Sequence, residues 1–527
     1  MTVAEAIVET LRRHGPPVIF GYPGAHTVKL HAALGREPRL RHVLVRHEQA
    51  AAFAADGFAR ATGSVGVFIT TAGPGATNAL TAVAESYTNS VPVLHLCCQV
   101  DTPFLGHRLG AWHEADVESI FKPVTKWSAT VADAATAPEL LLRALRETVT
   151  GRPGPIQLCV PRDLLDHLAS APGQPGSQAP RDLPDREAIA QAADLLAGAE
   201  RPVILAGGGA VGAAEQVARL ARALSAGVAA TCMSKGIFPE DDPRSLGVSF
   251  GDAAASALEE ADACLAVGCR LTQVGTRGWQ LRLPQDLIHI DIDPSVIGLH
   301  YPPRVAMVAD AGLALTALAE ETAARRCVDR SAWAERIVEL RAAERRARGR
   351  SPEARLCHRL RQAIPRHATI VGDVASLVYD MFPHFEAYEP RSFLYPAGYI
   401  AMGYALPAAI GAQLARPDRP VVCITGDGCL GMTGMELATV TQYGLPLRIV
   451  VLNNDRLGAI AHFGGADSAA LEPVVRLQNP DFRALAEAFG IPALQAAEHS
   501  PDEVTAGISA LMGTDGPALL VIQLGGG

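Results

Sequence analysis

Short apolar runs and helix-like segments alternate along the whole chain. The early runs PVIFGYPG, VGVFITTAGPG and VPVLHLCCQ are rich in β-branched residues and bounded by Gly or Pro. A segment whose apolar residues have helical spacing follows each of them. This order of elements predicts parallel sheets with crossover helices, which is the pattern of an α/β fold.

Two stretches interrupt this alternation. Residues 167–187 are rich in Pro, Gly, Ser and Ala and predict a linker, and a charged, helix-like connector follows residue 322. A chain of 527 residues is also too long for a single core. We therefore predict three doubly wound parallel-sheet domains, at 1–166, 186–322 and 353–527.

Composition and charge exclude several classes of protein. The net charge is -9, and a charged helix face explains the one basic run at 341–350, so we expect no nucleic-acid partner. The ten cysteines have neither disulfide-framework nor zinc-site spacing. Residues 1–15 have the pattern of an amphipathic helix rather than of a signal peptide, and no apolar run has membrane-spanning length. We expect a soluble, cytoplasmic enzyme.

Two turns in the last predicted domain follow neighbouring strands. PVVCITGDG predicts a buried strand that ends at Asp427, and LPLRIVVLNND predicts the next parallel strand, ending at Asn453 and Asn454. Ligands of open α/β sheets bind outside the carboxyl ends of strands. Carboxylate and amide oxygens suit Mg²⁺, and Gly428 leaves room for a phosphate at a helix N-terminus. Each turn alone would be ordinary, but the pair predicts a phosphate bridged by magnesium.

This segment resembles the diphosphate-binding motif of thiamine diphosphate (ThDP) enzymes. The resemblance implies that the side chains of Asp427 and Asn454 and the backbone carbonyl of Arg456 bind Mg²⁺. It also implies a set of residues around the diphosphate end of the cofactor: Gly426, Asp427, Gly428, Cys429 and Asn454.

A second resemblance to the same family lies in the first predicted domain. Glu48 opens an Ala-rich helix in VLVRHEQAAAFAADGFARATG, where a lone acid would ordinarily complement the helix dipole. The whole segment is similar to the one that carries the activating carboxylate in ThDP enzymes. The resemblance implies that Glu48 acts on N1' of the pyrimidine. This favours the imino tautomer, whose 4'-nitrogen removes the C2 proton of the thiazolium ring.

Two further segments resemble the family. ITTAGPGATNALTAVAESYTNSVPVLHL is similar to the acetolactate synthase group, which implies cofactor contacts at Gly73 and Asn78. In AGYIAMGYALPAAIGA, Met402 matches the bulky residue that holds the cofactor in a bent shape, although a Met in an apolar helix is ordinarily core packing. Ile400 falls where relatives often have Gly and where the backbone carbonyl contacts the 4'-amino group.

The resemblance covers nearly the whole chain in order. It implies a pyrimidine-binding domain, a central domain and a diphosphate-binding domain. In this family the cofactor lies between the first domain of one subunit and the third domain of another. The resemblance therefore implies a homodimer or a homotetramer.

The substrate side departs from the nearest group. His113 replaces a Gln that is usual in acetolactate synthases, and Phe463 replaces a Trp. The Ala25-His26 pair and the segment around His462 resemble benzaldehyde lyase instead. Histidines near the reacting carbon would transfer protons at neutral pH, so His26 and His113 are catalytic candidates, although each histidine could also be structural. The predicted substrate pocket is Ala25, His26, His113, His462 and Phe463.

The glycine-rich stretch GGGAVG in the central domain matches a dinucleotide fingerprint. The acid expected at the end of the next strand is missing, so we expect no FAD; a plain glycine turn explains the stretch equally well. Arg162 could contact a substrate carboxylate or lie on the surface.

Three hypotheses remain for the function. The first is an acetolactate synthase-like carboligase that decarboxylates a 2-oxo acid such as pyruvate and transfers the acyl carbanion to a second carbonyl. The second is a 2-oxo acid decarboxylase that releases an aldehyde, or a benzaldehyde lyase-like enzyme that cleaves 2-hydroxy ketones. The third is a catalytically silent regulatory relative, against which the retention of Glu48, Asp427 and Asn454 argues.

Overall fold

The computed structural model describes residues 1–170, 173, 183–349, 351–498 and 500–525, so most of the predicted linker lies outside the described residues. Contacts divide the chain into two compact units. The first unit contains Met1–Ala179, Thr369–Ser376 and Pro396–Gly527, and the second contains Pro180–Ala368 and Leu377–Tyr395. The two ends of the chain therefore belong to one unit.

The N-terminal part of the first unit is built on a six-stranded sheet with the order β2-β1-β3-β4-β6-β5. All neighbouring strands are parallel. Its strands are β1 Val18–Gly21, β2 Arg41–Leu44, β3 Gly66–Thr71, β4 Val93–Gln99, β5 Ser128–Thr130 and β6 Ile156–Pro161. The winding reverses between β1 and β3, and ligands of such sheets bind at the carboxyl ends beside a reversal.

The second unit contains a six-stranded parallel sheet with the order β12-β11-β10-β7-β8-β9. Its strands are β7 Pro202–Ala206, β8 Gly227–Ala230, β9 Ser245–Val248, β10 Ala263–Val267, β11 Asp286–Asp291 and β12 Val305–Val308. A fully buried apolar cluster covers each face of this sheet, which explains why its strands are apolar without interruption.

The C-terminal part of the first unit has parallel strands in the order β13-β15-β16-β18-β17. The remaining strands of the chain are β13 Thr369–Gly372, β14 Phe393–Leu394, β15 Val421–Gly426, β16 Arg448–Asn453, β17 Ala493–Ala497 and β18 Ala518–Gln523. The predicted α/β fold with three doubly wound parallel sheets is confirmed.

Helices flank the sheets, and several of them begin at a residue whose side chain caps the helix. Thr2 and Glu5 form a reciprocal capping box at the first helix, which satisfies two backbone N–H groups. The helices are α1 Val3–His14, α2 Val28–Leu34, α3 Glu48–Thr62, α4 Pro74–Asn78, α5 Leu80–Thr88, α6 Val117–Phe121, α7 Ala137–Val149, α8 Arg186–Gly198, α9 Ala214–Leu224, α10 Asp252–Glu260, α11 Ala311–Ala323, α12 Ser331–Arg348, α13 Pro352–Ala363, α14 Ser376–His384, α15 Ala405–Ala415, α16 Asp427–Thr433, α17 Leu437–Gln442, α18 Gly458–Phe463, α19 Ser468–Val475, α20 Phe482–Ala488 and α21 Pro501–Gly513. None of the helices in the described part of the chain has the length and apolar character needed to cross a membrane.

Helices α3 and α15 pack with their backbones in direct contact and join the two ends of the chain within the first unit. A methyl group added to Gly57 would lie 2.1 Å from the carbonyl oxygen of Ala408, and one added to Gly411 would lie 1.9 Å from that of Ala54. Only glycine fits at both positions. The small residues of α3 thus allow close packing on α15, and its alanines also favour helix formation.

Candidate active site

Glu48 is the first residue of α3, and its carboxylate is buried against the turn that follows β3. Its Oε2 accepts a hydrogen bond from the side-chain amide of Asn78 at 3.0 Å. A methyl group added to Gly75 would lie 3.1 Å from Glu48 Oε1, so the turn closes directly over the carboxylate. The structure thus brings Glu48 together with the segment that contains Gly73 and Asn78.

The same turn supports the loop that carries His113. Gly73 has a φ of 55°, and a methyl group there would lie 2.8 Å from the backbone oxygen of His113. His113 itself adopts a left-handed φ of 64°. Glycine is therefore required at position 73 both by conformation and by the close backbone approach.

Three aromatic side chains meet beside this turn. The ring of His26 lies 5.2 Å from that of His113 and 4.8 Å from that of Trp112, measured between centroids. His26 Nδ1 lies 3.3 Å from the hydroxyl of Thr71, the last residue of β3. Ala25 belongs to the same short helical turn as His26, which follows the strand β1 at the reversal of the sheet. The histidines predicted from sequence are therefore neighbours.

Burial is the main cause of an altered pKa at His26. The side chain is 2% exposed, and its pKa is lowered by desolvation first and then by His113 and Arg162. A lowered pKa keeps the imidazole neutral at pH 7, so it can hold or accept a proton there. Arg162 pairs with Asp101 through an Nε–Oδ1 hydrogen bond of 2.8 Å, which lowers the pKa of that carboxyl.

Asp427 follows β15 and lies against the segment after β16. The register pairs Gly426 with Leu452, which places the two predicted turns at the same edge of the sheet. Asp427 Oδ2 accepts hydrogen bonds from the backbone N–H of Arg456 at 3.3 Å and from the side-chain amide of Asn479 at 2.8 Å. The same amide nitrogen lies 3.1 Å from Asp455 Oδ1.

The turn after β16 contains a residue in a left-handed backbone conformation. Asp455 has a φ of 55°, a left-handed value that Asp tolerates better than most residues. The backbone oxygen of Arg456 then accepts a hydrogen bond from Gly458 at 2.9 Å. A methyl group on Gly458 would lie 2.9 Å from the side-chain nitrogen of Asn454, so this amide lies at the same turn.

Met402 lies beside the Gly-Asp-Gly turn. A methyl group added to Gly428 would lie 3.6 Å from Met402 Cε and 2.9 Å from Leu457 Cδ2. The thiol of Cys429 donates to the backbone oxygen of Val374 at 3.2 Å. Met402, predicted to support the bent cofactor, therefore lies next to Gly428, predicted to lie at its diphosphate.

Asp373 holds the backbone immediately after Met402. Its Oδ1 accepts from the N–H of Gly403 at 3.0 Å, and its Oδ2 accepts from the N–H of Ala405 at 2.9 Å. The hydroxyl of Thr425 donates to Oδ2 at 3.3 Å. Asp373 is completely buried, and burial raises its pKa.

Two predicted pocket residues lie on α18. Phe463 ends this helix and is 77% exposed in the isolated chain. The side chain of His462 lies outside the described part of the structure.

Sequence reasoning missed Asn479, Trp112 and Asp373. Asn479 precedes a proline in a plain turn sequence, and nothing in that stretch points to a carboxylate far away along the chain. Trp112 is an aromatic residue beside His113 in a loop without core periodicity, which could have indicated an exposed functional residue. Asp373 follows a predicted strand just as Asp427 does, and the same strand-end rule could have found it.

The carboxylate of Asp427 is a hard oxygen ligand of the kind that Mg²⁺ prefers, and such an ion takes its remaining ligands from water and phosphate. In this structure its Oδ2 accepts hydrogen bonds from the backbone N–H of Arg456 and from the side-chain amide of Asn479. Among the described residues, no group of three His, Cys, Asp or Glu side chains converges on a metal position.

The glycine-rich stretch of the central sheet has a packing role. A methyl group added to Gly207 would lie 2.0 Å from the backbone oxygen of Gly268, and one added to Gly209 would lie 2.9 Å from Gly268 Cα. The ends of β7 and β10 therefore meet backbone to backbone. This contact accounts for two of the motif's glycines without a nucleotide.

Comparison with known proteins agrees with this arrangement along the whole chain. Residues 1–120 match the N-terminal TPP binding domain of thiamine pyrophosphate enzymes, residues 189–318 match the central domain, and residues 373–522 match the C-terminal TPP binding domain.

Several full-length relatives share about a third of their residues with the chain. The "Probable acetolactate synthase large subunit" of Methanocaldococcus jannaschii is 37% identical over 99% of this chain and 92% of that protein. The "Probable 2-ketoarginine decarboxylase AruI" of Pseudomonas aeruginosa is 36% identical over 99% of this chain and 94% of that protein. The "Acetolactate synthase large subunit" of Parasynechococcus marenigrum is 36% identical over 93% of this chain and 82% of that protein.

Proposed function

Because the chain belongs to the thiamine pyrophosphate enzyme family, we propose that it is an acetolactate synthase-like carboligase. It would decarboxylate a 2-oxo acid such as pyruvate and join the acyl group to a second carbonyl compound. Two observations support the proposal together. The chain is similar over nearly its whole length to a protein called a probable acetolactate synthase large subunit. It also holds Glu48 against Asn78, and Asp427 against the backbone of Arg456.

The chain's own residues divide the work between two ends of the cofactor. Asp427, the side chain of Asn454 and the carbonyl of Arg456 would hold Mg²⁺, with Gly426, Gly428 and Cys429 around the diphosphate. Glu48 would hold a proton at N1' of the pyrimidine, and Met402 would support the bent cofactor. ThDP, when bound, supplies a carbon nucleophile that attacks the 2-oxo acid and stabilises the carbanion left after loss of CO2.

His26 and His113 would act on the substrate side. The neutral imidazole of His26 can accept a proton from a substrate oxygen and return it in a later step. Burial is the main reason for the lowered pKa of His26; Arg162 lowers this pKa further, whereas Asp101, its ion-pair partner, raises it. Proton transfer at this point would accompany bond formation or product release.

A second candidate function is the release of an aldehyde from a 2-oxo acid. It is favoured by the relative that is called a 2-ketoarginine decarboxylase and by the paired histidines, which could protonate the carbanion before a second carbonyl captures it. Cleavage of a 2-hydroxy ketone is the reverse of the carboligation step. It is the third possible result of the experiment described next.

The deciding experiment is incubation of the protein with ThDP, Mg²⁺ and one substrate at a time. Acetolactate from pyruvate supports the carboligase. An aldehyde and CO2 from pyruvate or 2-ketoarginine, without ligation product, support the decarboxylase. Benzaldehyde from benzoin supports the lyase, and no turnover of any of these compounds contradicts all three.

Assembly, location and FAD belong to the same proposal. Active sites between subunits would need a homodimer or homotetramer, and exposed apolar side chains such as Met432, Met435 and Phe463 suit a surface that a second copy covers. Light scattering of the purified protein gives the mass of the assembly and so tests this prediction.

All ten cysteines are free, which suits the reducing cytoplasm. We propose that FAD is not bound; a flavin absorption band in the purified protein would contradict this.

A further inference from the structure

Ile400 adopts a backbone conformation that its side chain opposes. Its φ is 58°, in the left-handed region. A β-branched residue is a genuine outlier there, because its Cβ crowds the backbone, whereas glycine enters this region freely. The conformation therefore has a cost that a glycine at the same position would not have.

Hydrogen bonds to the residues that follow Ile400 hold the segment in this conformation. The backbone N–H of Ala401 donates to Glu85 Oε2 at 3.0 Å, and Asp373 binds the N–H groups of Gly403 and Ala405. Both carboxylates are buried, and burial raises the pKa of each. Strain of this kind persists only where the surroundings fix the backbone, and it is concentrated at functional sites.

Packing within the chain does not account for the isoleucine. The side chain is 39% exposed, so it gains only part of the burial that a core isoleucine would gain. Two residues further on, Met402 lies against Gly428 in the turn that carries Asp427. An exposed, strained, bulky side chain thus stands at the edge of the proposed cofactor site.

We propose that Ile400 is a specificity-determining residue, whose side chain limits the size of the carbonyl compound that reaches the reacting carbon. The inference rests on the proposed function, since that function places the reaction beside Met402. A smaller residue at position 400 then admits 2-oxo acids with longer side chains.

Three variants separate bulk from backbone strain. Ile400→Gly removes both, Ile400→Ala removes the bulk but keeps a Cβ in the left-handed region, and Ile400→Leu keeps the bulk. The specificity measurement is the ratio of kcat/KM for 2-oxohexanoate to that for pyruvate. We expect this ratio to rise about tenfold or more in the Gly and Ala variants and to stay near the wild-type value in the Leu variant.

A second measurement does not depend on turnover. In thermal unfolding without cofactor, the Gly variant should unfold at a higher temperature than the Ala variant, because only glycine relieves the strain. The rise in unfolding temperature on adding ThDP and Mg²⁺ should persist in all three variants, which shows that the cofactor site is intact.

The outcomes distinguish the inference from the function on which it rests. An active wild type whose specificity ratio stays within twofold in both small variants overturns the inference alone. A wild type that turns over neither 2-oxo acid overturns the proposed function and this inference with it. A Gly variant no more stable than the Ala variant overturns the claim that the segment is strained.

Discussion

The side-chain amide of Asn78 donates a hydrogen bond to Glu48 Oε2, although the two residues lie on different helices. The turn from β3 into α4 therefore fixes the direction of the carboxylate at the start of α3. A carboxylate held in this way is prepared for proton exchange at a single atom.

Replacing Glu48 with Gln should lower kcat by at least about 100-fold, because the amide cannot exchange the proton that the pyrimidine needs. Asn78→Ala serves as the comparison and should lower kcat less, since the carboxylate remains. Steady-state turnover of pyruvate measures both. A Glu48→Gln protein with wild-type turnover would show that another residue activates the cofactor.

Asn479→Ala should weaken magnesium-dependent ThDP binding by about 10-fold to 100-fold, as expected for a residue that orients a metal ligand. Asp427→Asn should weaken it further, because it removes the carboxylate itself. The measurement is the magnesium concentration needed to raise the unfolding temperature in the presence of ThDP.

Asp481→Ala is a matched control for the magnesium experiment. Asp481 caps α20 two residues away from Asn479, so its loss should lower stability by roughly 1 kcal/mol without changing the magnesium requirement. Equal effects at positions 479 and 481 would count against a role for Asn479 at the metal.

Stability should fall as the pH is lowered from about 6.5 towards 4, with His42 as one cause. Burial and the nearby His31 lower the pKa of His42 to about 4, so the folded state resists a proton that the unfolded chain accepts. The contribution of neutral His42 to the free energy of unfolding is fully present above about pH 6.5, the ordinary pKa of histidine. It declines by about 3 kcal/mol by pH 4.

His42→Gln should therefore reduce the loss of thermal stability between pH 6.5 and 4. The difference between the two proteins at pH 8 provides the baseline, because His42 is neutral there in both states. Unfolding temperatures that fall in parallel over this pH range would rule out His42 as a source of the acid sensitivity.

Lys235→Met should lower the free energy of unfolding of the second unit by about 3–5 kcal/mol, because Glu240 would be left as an unpaired buried charge. The ammonium lies 2.6 Å from Glu240 Oε2, and both side chains are buried. The double change Lys235→Met, Glu240→Gln should recover most of the loss. Calorimetry of the three proteins tests this, and a double variant less stable than Lys235→Met would contradict it.

Gly57→Ala should destabilise the first unit by about 3 kcal/mol, because the added methyl group collides with the backbone of α15. Gly198→Ala is the control, since a methyl group there would meet no described atom within 4 Å. The unfolding temperature should fall for the first variant and stay nearly constant for the second. Equal values would mean that the two helices can move apart at little cost.

The alternation of strands and helices was sufficient to predict the α/β fold, and strand-end logic placed Asp427 next to the turn after β16. Other parts of the site depend on distant segments. Asn479 reaches Asp427 only because β16 and the loop before α20 meet in space, and no local pattern encodes that contact.

The backbone conformation at Ile400 could not be predicted from the sequence either. The left-handed φ of Ile400 contradicts the preference of its residue type, so propensity alone would predict the opposite. Hydrogen bonds that the following backbone N–H groups donate to Glu85 and Asp373 oppose that preference, and both acceptors lie far from Ile400 in the sequence. Sequence patterns thus predict the residues of the candidate site, while the contacts that support them appear only in three dimensions.

The contact between α3 and α15 has a consequence for synthesis of the protein. Helix α3 is complete once residue 62 has been synthesised, but α15 is complete only after residue 415. Until then the surface of α3 that packs on α15 has no native partner, and contacts of such long sequence separation form slowly. The N-terminal part of a nascent chain should therefore bind chaperones until its C-terminal part has left the ribosome.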